Sequence, residues 1–318
     1  NMFRISEISL KFVLLSFVYF VFIACGNKST NTTDEARDSS YIKIDTSMVK
    51  VENPKITAYK SFVLQLDSVD SKSLQLAVDE FKRVVAGQSL DLGDSAYVVL
   101  QNFADSLEYE LNIQLQNDTL TDFEAILLNK KPTGALLKLV NELKMSGFRL
   151  NAIEGTVYIA LDRKFVLSQI SMHLTEPMQR YIQQIDIENK EGFLNDASIC
   201  ISANKYVERL IWYENFIKEN PSFLLIDNCK NYKKAYLTYF LTGIDNTQLY
   251  ENEEEMKLAP YFVKAYNYVI KTYPDSELTQ LVTEYKTAIE QKNKSLVNEL
   301  IKKYIIKGWI YSQNTTLE

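Results

Sequence analysis

Residues 260–290 read PYFVKAYNYVIKTYPDSELTQLVTEYKTAIE. Tyr261, Phe262, Ala265, Tyr266, Val269, Ile270 and Tyr273 recur at three- and four-residue steps, the period of a helix with one broad apolar face. Pro274 cannot continue that helix, and Ser276 is placed to cap the next one. Leu278, Leu281, Val282, Tyr285 and Ile289 then form a second apolar stripe. The stretch therefore predicts two helices joined by a Pro-containing turn.

The same pattern extends outward. A third helix is expected to open at Ser295, with Leu296, Val297, Leu300, Ile301, Tyr304 and Ile305 inward. Lys302, Lys303 and Lys307 suit its C-terminal end, and Gly308 suits the stop. Upstream, Thr133 is expected to start a helix with Leu136, Leu137, Val140 and Leu143 inside and Gly147 past its end. Residues 202–220 predict a long helix ended by Pro221, and residues 71–86 and 95–111 predict two more. Tyr232, Tyr236, Tyr239 and Phe240 repeat at helical steps and are expected in a core. Residues 148–162 break the pattern: Val157, Ile159 and Leu161 alternate, with Glu154-Gly155 as a turn signal, and predict a β-hairpin. The fold class is thus mainly α, with one small β-hairpin near 148–162.

Tyr213, Ile217, Lys218, Pro221, Leu225, Tyr232 and Lys233 match Tyr266, Ile270, Lys271, Pro274, Leu278, Tyr285 and Lys286 at an offset of 53 residues. The run Tyr273-Pro274-Asp275-Ser276 resembles the inter-helix turn of tetratricopeptide-like (TPR-like) proteins. That resemblance implies helical hairpins in a repeat-like array. The period exceeds the 34-residue unit, and that family's Trp, Leu-Gly and Tyr pattern is missing. A plain helical domain with two similar corners is the alternative.

Composition sets limits. The chain has 318 residues, 46% of them hydrophobic, so it can bury a core. It carries 35 basic and 41 acidic side chains, a balance that argues against nucleic acid as the main partner. The single His, His173, excludes sites that need two His ligands and sits in no nucleophile–base pattern. No Gly spacing fits a phosphate-cradling loop. No cofactor is expected. Asp245, Asn246, Glu251 and Glu253 fall in the densest acidic stretch and are the candidates for a hard cation, although they lack EF-hand spacing. A solvated charged loop is the simpler reading. Cys200 and Cys229 form no C-x-x-C motif. They are read either as a disulfide or, for Cys200, as a buried free thiol.

The N-terminus reads as an address. Arg4 and Lys11 precede an apolar run over residues 12–24, too short for a spanning helix of about 20 residues. Phe22-Ile23-Ala24-Cys25 resembles the lipobox of bacterial lipoprotein precursors, departing from it at Phe22 and Ile23. The resemblance implies that residues 1–24 are a signal peptide and that Cys25 is lipidated. Residues 25–40 are then a flexible tether, and residues 41–318 an extracytoplasmic helical body with a point of subdivision near 147–200. The expected place is the bacterial cell envelope, on a membrane held through Cys25. The leading functional expectation is a non-enzymatic module that binds a protein or an envelope polysaccharide. A carboxylate-dependent glycan hydrolase and a solute-binding lipoprotein of an uptake system are the alternatives.

Overall fold

The structure is a computed structural model and describes residues 53–118, 121–153 and 155–312. The expected signal peptide, Cys25 and the tether lie outside the described residues.

The first helices are α1 (Pro54–Val63), α2 (Ser73–Val85), α3 (Leu90–Asn117), α4 (Glu124–Leu127) and α5 (Gly134–Met145). Strands β1 (Phe148–Ile153) and β2 (Thr156–Leu161) form the expected hairpin, antiparallel and in register from Phe148 opposite Leu161 to Ile153 opposite Thr156. Helix α6 (Arg163–Ile170), a 3₁₀ turn (Ser171–His173) and α7 (Glu176–Glu191) follow. The strand pair β3 (Leu194–Asn195) and β4 (Ser198–Ile199) leads into α8 (Ala203–Glu219) and α9 (Ile226–Thr242). Two more pairs, β5 (Gly243–Ile244) with β6 (Thr247–Gln248) and β7 (Tyr250–Asn252) with β8 (Lys257–Leu258), precede α10 (Pro260–Thr272), α11 (Glu277–Glu290) and α12 (Lys294–Ile306).

The described residues are mainly helical, as the periodicity requires, but they hold four strand pairs where the sequence predicts one. The stretch from Asp245 to Glu255, expected as a plain loop, supplies β6 and β7, one strand of each of two pairs. A two-residue strand has no room to display alternation, so periodicity is blind to it.

Helix starts follow side-chain chemistry. Ser89, Thr175, Ser202 and Ser276 each accept a backbone N–H from the first turn of the helix they precede. Helix α12 begins earlier than expected. Asn293, not Ser295, is its cap, accepting from Leu296 N at 3.0 Å. An Asn carbonyl one residue before the helix reaches the free N–H, while Ser295 lies inside the first turn. Gly308 does follow the helix, at φ 72°.

The 53-residue offset corresponds to real geometry. It aligns α8 and α9 with α10 and α11. The residues that end α8 and α10 have nearly the same backbone, Asn220 at φ −127°, ψ 59° and Tyr273 at φ −129°, ψ 57°. The helices that lead into each pair, α7 and α9, both stop on a glycine, Gly192 at φ 70°, ψ 175° and Gly243 at φ 71°, ψ −170°. That region is closed to residues with a Cβ. A Cβ on Gly243 would also lie 2.5 Å from Leu249 N. The copies differ where their chemistry differs. Ser276 caps α11, and its counterpart is Phe223, so α9 starts later, after Leu225, without a side-chain cap.

Buried residues from Tyr59 to Ile310 form one contiguous core. Its C-terminal part packs α8 against α9 and α10, and α11 against α10 and α12. Three tyrosines from different helices donate to carbonyls of α9: Tyr206 to Tyr236 O at 2.6 Å, Tyr266 to Phe240 O at 2.8 Å and Tyr285 to Leu241 O at 2.8 Å. Buried Glu214 of α8 accepts both Glu277 N and Leu278 N at 3.0 Å, capping α11 from a neighbouring helix. Asp94 of α3 treats α7 alike, accepting Thr175 N at 3.0 Å and Thr175 Oγ1 at 2.6 Å.

Candidate interaction surface

Two open depressions lie in the N-terminal part, and α5 borders both. The larger, about 390 Å³, has an apolar floor of Leu111 and Leu115 from α3, Leu139 and Leu143 from α5, and Ile159 from β2. Its rim carries Asp70, Asp118 and Glu142. No Lys or Arg lines it. The second, about 340 Å³, lies by α4 and the start of α5 and includes Thr121, Lys130 and Leu136.

The floor is rigid because α3 holds β2 as a third strand would. The Asn112 side chain donates to Ile159 O and accepts from Ile159 N, both at 2.8 Å. Glu108 Oε2 accepts Leu161 N at 2.8 Å. Ile159 N and O and Leu161 N, on the edge of β2 away from β1, are thus met by side chains. Burial pushes the Glu108 carboxyl from 4.5 up to about 7, while the Arg163 guanidinium opposes that rise. Arg163 is itself buried and paired with Asp105 at 3.2 Å.

The rim carboxylates are engaged in turn geometry. Asp70 Oδ1 accepts Lys72 N at 3.0 Å, and Asp118 Oδ1 accepts Thr121 N at 3.1 Å. Glu142 faces Lys138 at 3.9 Å, with both side chains exposed. The arrangement offers an apolar trough under negative charge. Such a trough favours an amphipathic segment carrying cations.

Around it, apolar side chains reach water. Helix α5 does not bury the stripe that its sequence predicts: Leu136 and Leu143 are buried, Val140 is half-buried, and Leu137 is 38% exposed. Met145, at the end of the same helix, is 78% exposed, and Leu127 at the end of α4 and Leu128 after it are exposed too. Four exposed apolar residues on neighbouring short elements are unusual unless something covers them.

The other sequence candidates are placed apart. Cys200 is exposed and Cys229 is buried in α9. They do not pair, and Cys200 is not the buried thiol of the alternative reading, because it follows β4 at the surface. Burial pushes the Cys229 thiol up to about 12. Asp245 and Asn246 form the tip of the β5–β6 turn, where Asn246 donates to Asp196 O at 2.5 Å. Glu251 instead pairs with Lys257 at 2.6 Å. Among the described residues no three His, Cys, Asp or Glu side chains gather as metal ligands would. His173 ends the 3₁₀ turn, its ring 6.3 Å from that of Phe81.

One polar cluster escaped the sequence reading. Glu188 of α7 accepts Tyr236 Oη at 2.7 Å and Tyr213 Oη at 3.1 Å on one oxygen, and Gln184 Nε2 at 2.7 Å on the other. Burial raises its pKa, and Arg209 opposes the rise. Arg209 donates to Glu191 Oε2 at 3.0 Å and Gly192 O at 2.9 Å. Both Glu188 oxygens are bonded to protein, so this cluster clamps α7 to α8 and α9. No protein-family model, curated protein or solved structure matches this chain.

Proposed function

We propose that this chain is a lipid-anchored extracytoplasmic interaction protein, held through acyl chains on Cys25, that grips a partner protein by an amphipathic basic segment laid along the trough beside α5. The observation that carries this reading is the trough itself: an apolar floor of four leucines and Ile159 under a rim whose charges are all negative. Surrounding exposed leucines and Met145 would extend the contact. The hydrolase alternative draws less support, since two of the rim carboxylates cap turns. The solute-binding alternative would call for an enclosed aromatic pocket, and the large aromatics here fill the core.

Two measurements test the two parts. Metabolic labelling with a palmitate analogue should mark the wild-type protein and not Cys25→Ser; label retained by the variant would end the anchoring claim. The purified full chain should bind a 14-residue Leu/Lys amphipathic peptide at least about tenfold more tightly than the Leu/Glu counterpart. Glu142→Lys should narrow or reverse that preference. Equal binding of both peptides, or no effect of Glu142→Lys, would refute the trough as the docking site.

A further inference from the structure

The end of α12 forms a second unusual surface, away from the trough in sequence. Ile306 is 85% exposed, more than any other large apolar side chain described, and Trp309 is 42% exposed. The Trp309 ring stacks on Tyr304 at 5.8 Å, and Lys307 Nζ stands 4.4 Å from its centroid. Lys302 and Lys303 lie one turn back, and Lys234 of α9 sits 4.3 Å from the ring of nearby Tyr311. Glu284 accepts from Lys303 at 3.0 Å and Tyr304 Oη at 3.2 Å, and Glu299 precedes Lys302 by three residues on the same helix. Cations at a helix C-terminus are ordinary. An isoleucine and an indole left in water among them are not.

We propose that this end of α12 docks on the anionic headgroups of a bilayer, with Ile306 and Trp309 entering the interfacial layer and Lys302, Lys307 and Lys234 facing phosphates. Two apolar side chains are too little for a stable protein interface, which buries roughly 800 Å² per partner. They suffice for an interfacial contact when several cations add to them, and an indole is suited to that layer. The proposal rests on the anchored reading only for the bilayer that the chain would meet in the cell.

The chain has two tryptophans, and the other, Trp212, is stacked on Phe216 within α8 at 4.7 Å. Trp309 is therefore a built-in reporter. The purified full chain is mixed with vesicles of phosphatidylcholine alone or with phosphatidylglycerol, each containing brominated acyl chains that quench a nearby indole. The apolar N-terminus brings the chain to both vesicles, so quenching rather than attachment is read. The expected result is quenching in the anionic vesicles, weakened by salt and absent in Trp309→Phe. Reversing Lys302 and Lys307 to Glu should lower it about tenfold or more, given several-fold in affinity per lysine. Equal quenching in the two vesicle types, or full quenching in the charge-reversed protein, would overturn the proposal. So would quenching that persists in Trp309→Phe. The test is indifferent to acylation: a Trp309 signal alongside failed palmitate labelling would sink the anchor and leave this surface standing.

Discussion

Helices α7 to α12 and helices α1 to α5 solve the problem of their apolar residues differently. In the C-terminal part, rings pack edge to face in a chain: Phe193 on Tyr236 at 4.7 Å, Tyr206 on Phe240 at 5.0 Å, Phe240 on Tyr266 at 5.2 Å. Their hydroxyls end on carbonyls or on Glu188. In the N-terminal part aliphatic side chains predominate around a few buried rings such as Tyr59 and Phe81, and ten of the fifteen exposed large apolar side chains described lie between residues 64 and 145. The two depressions beside α5 lie there as well. The C-terminal part buries most of its apolar residues, the end of α12 with Ile306 and Trp309 excepted, and the N-terminal part leaves more of them in water. The contrast separates a densely packed aromatic frame from a face with more apolar surface in water.

The contrast can be broken most sharply at Phe240, fully buried between Tyr206 and Tyr266. Phe240→Ala should cost about 3–5 kcal/mol in urea unfolding. A loss under about 1 kcal/mol would mean that the aromatic half is not the stable one. Next is Glu214, which holds two backbone N–H groups at the start of α11. Glu214→Ala leaves them without that acceptor and should cost about 1–3 kcal/mol, with Glu214→Gln recovering part.

Glu108 offers a pH test of the junction between α3 and β2. Its folded pKa of about 7 lies above the ordinary 4.5, so the folded chain holds this proton more tightly than the unfolded chain. Its contribution is fully present below about pH 4.5 and is lost as pH rises through 7. The swing should be on the order of 3 kcal/mol, and Glu108→Gln should remove that part of the slope in unfolding measured across pH 4 to 8. The smallest expected effect is Leu137→Ser in α5. Stability should move by no more than about 0.5 kcal/mol, while affinity for the Leu/Lys peptide falls. A large stability loss there would put Leu137 in a core after all.

The helices from α8 onward were legible because their apolar faces are wide and their ends carry Ser, Pro and Gly. Stripe positions such as Leu278, Leu281, Val282, Tyr285 and Ile289 are all buried as expected. Helix α7 was not legible: residues such as Gln179, Arg180, Gln183, Gln184, Glu188 and Lys190 dilute its stripe, and one of them, Glu188, is buried. Among 41 acidic side chains nothing in sequence separates Glu188 or Glu214 from a solvated carboxylate. That distinction depends on tyrosines and N–H groups 25 to 64 residues away. The trough was hidden for a related reason. Leu111, Leu139 and Leu143 have helical spacing, and spacing tells which face a residue occupies but not whether another element covers that face.

The tyrosine hydroxyls on Tyr236 O, Phe240 O and Leu241 O have a consequence in time. To open α9 locally, partners on α8, α10 and α11 must let go together, so its amides should exchange with solvent only when the whole C-terminal part unfolds. The segment around α4 and α5 should exchange orders of magnitude faster. Deuterium uptake along the chain would then rise from α9 toward α5. A segment that opens often, carried by a frame that opens rarely, would exchange its amides many times over without the fold itself coming apart.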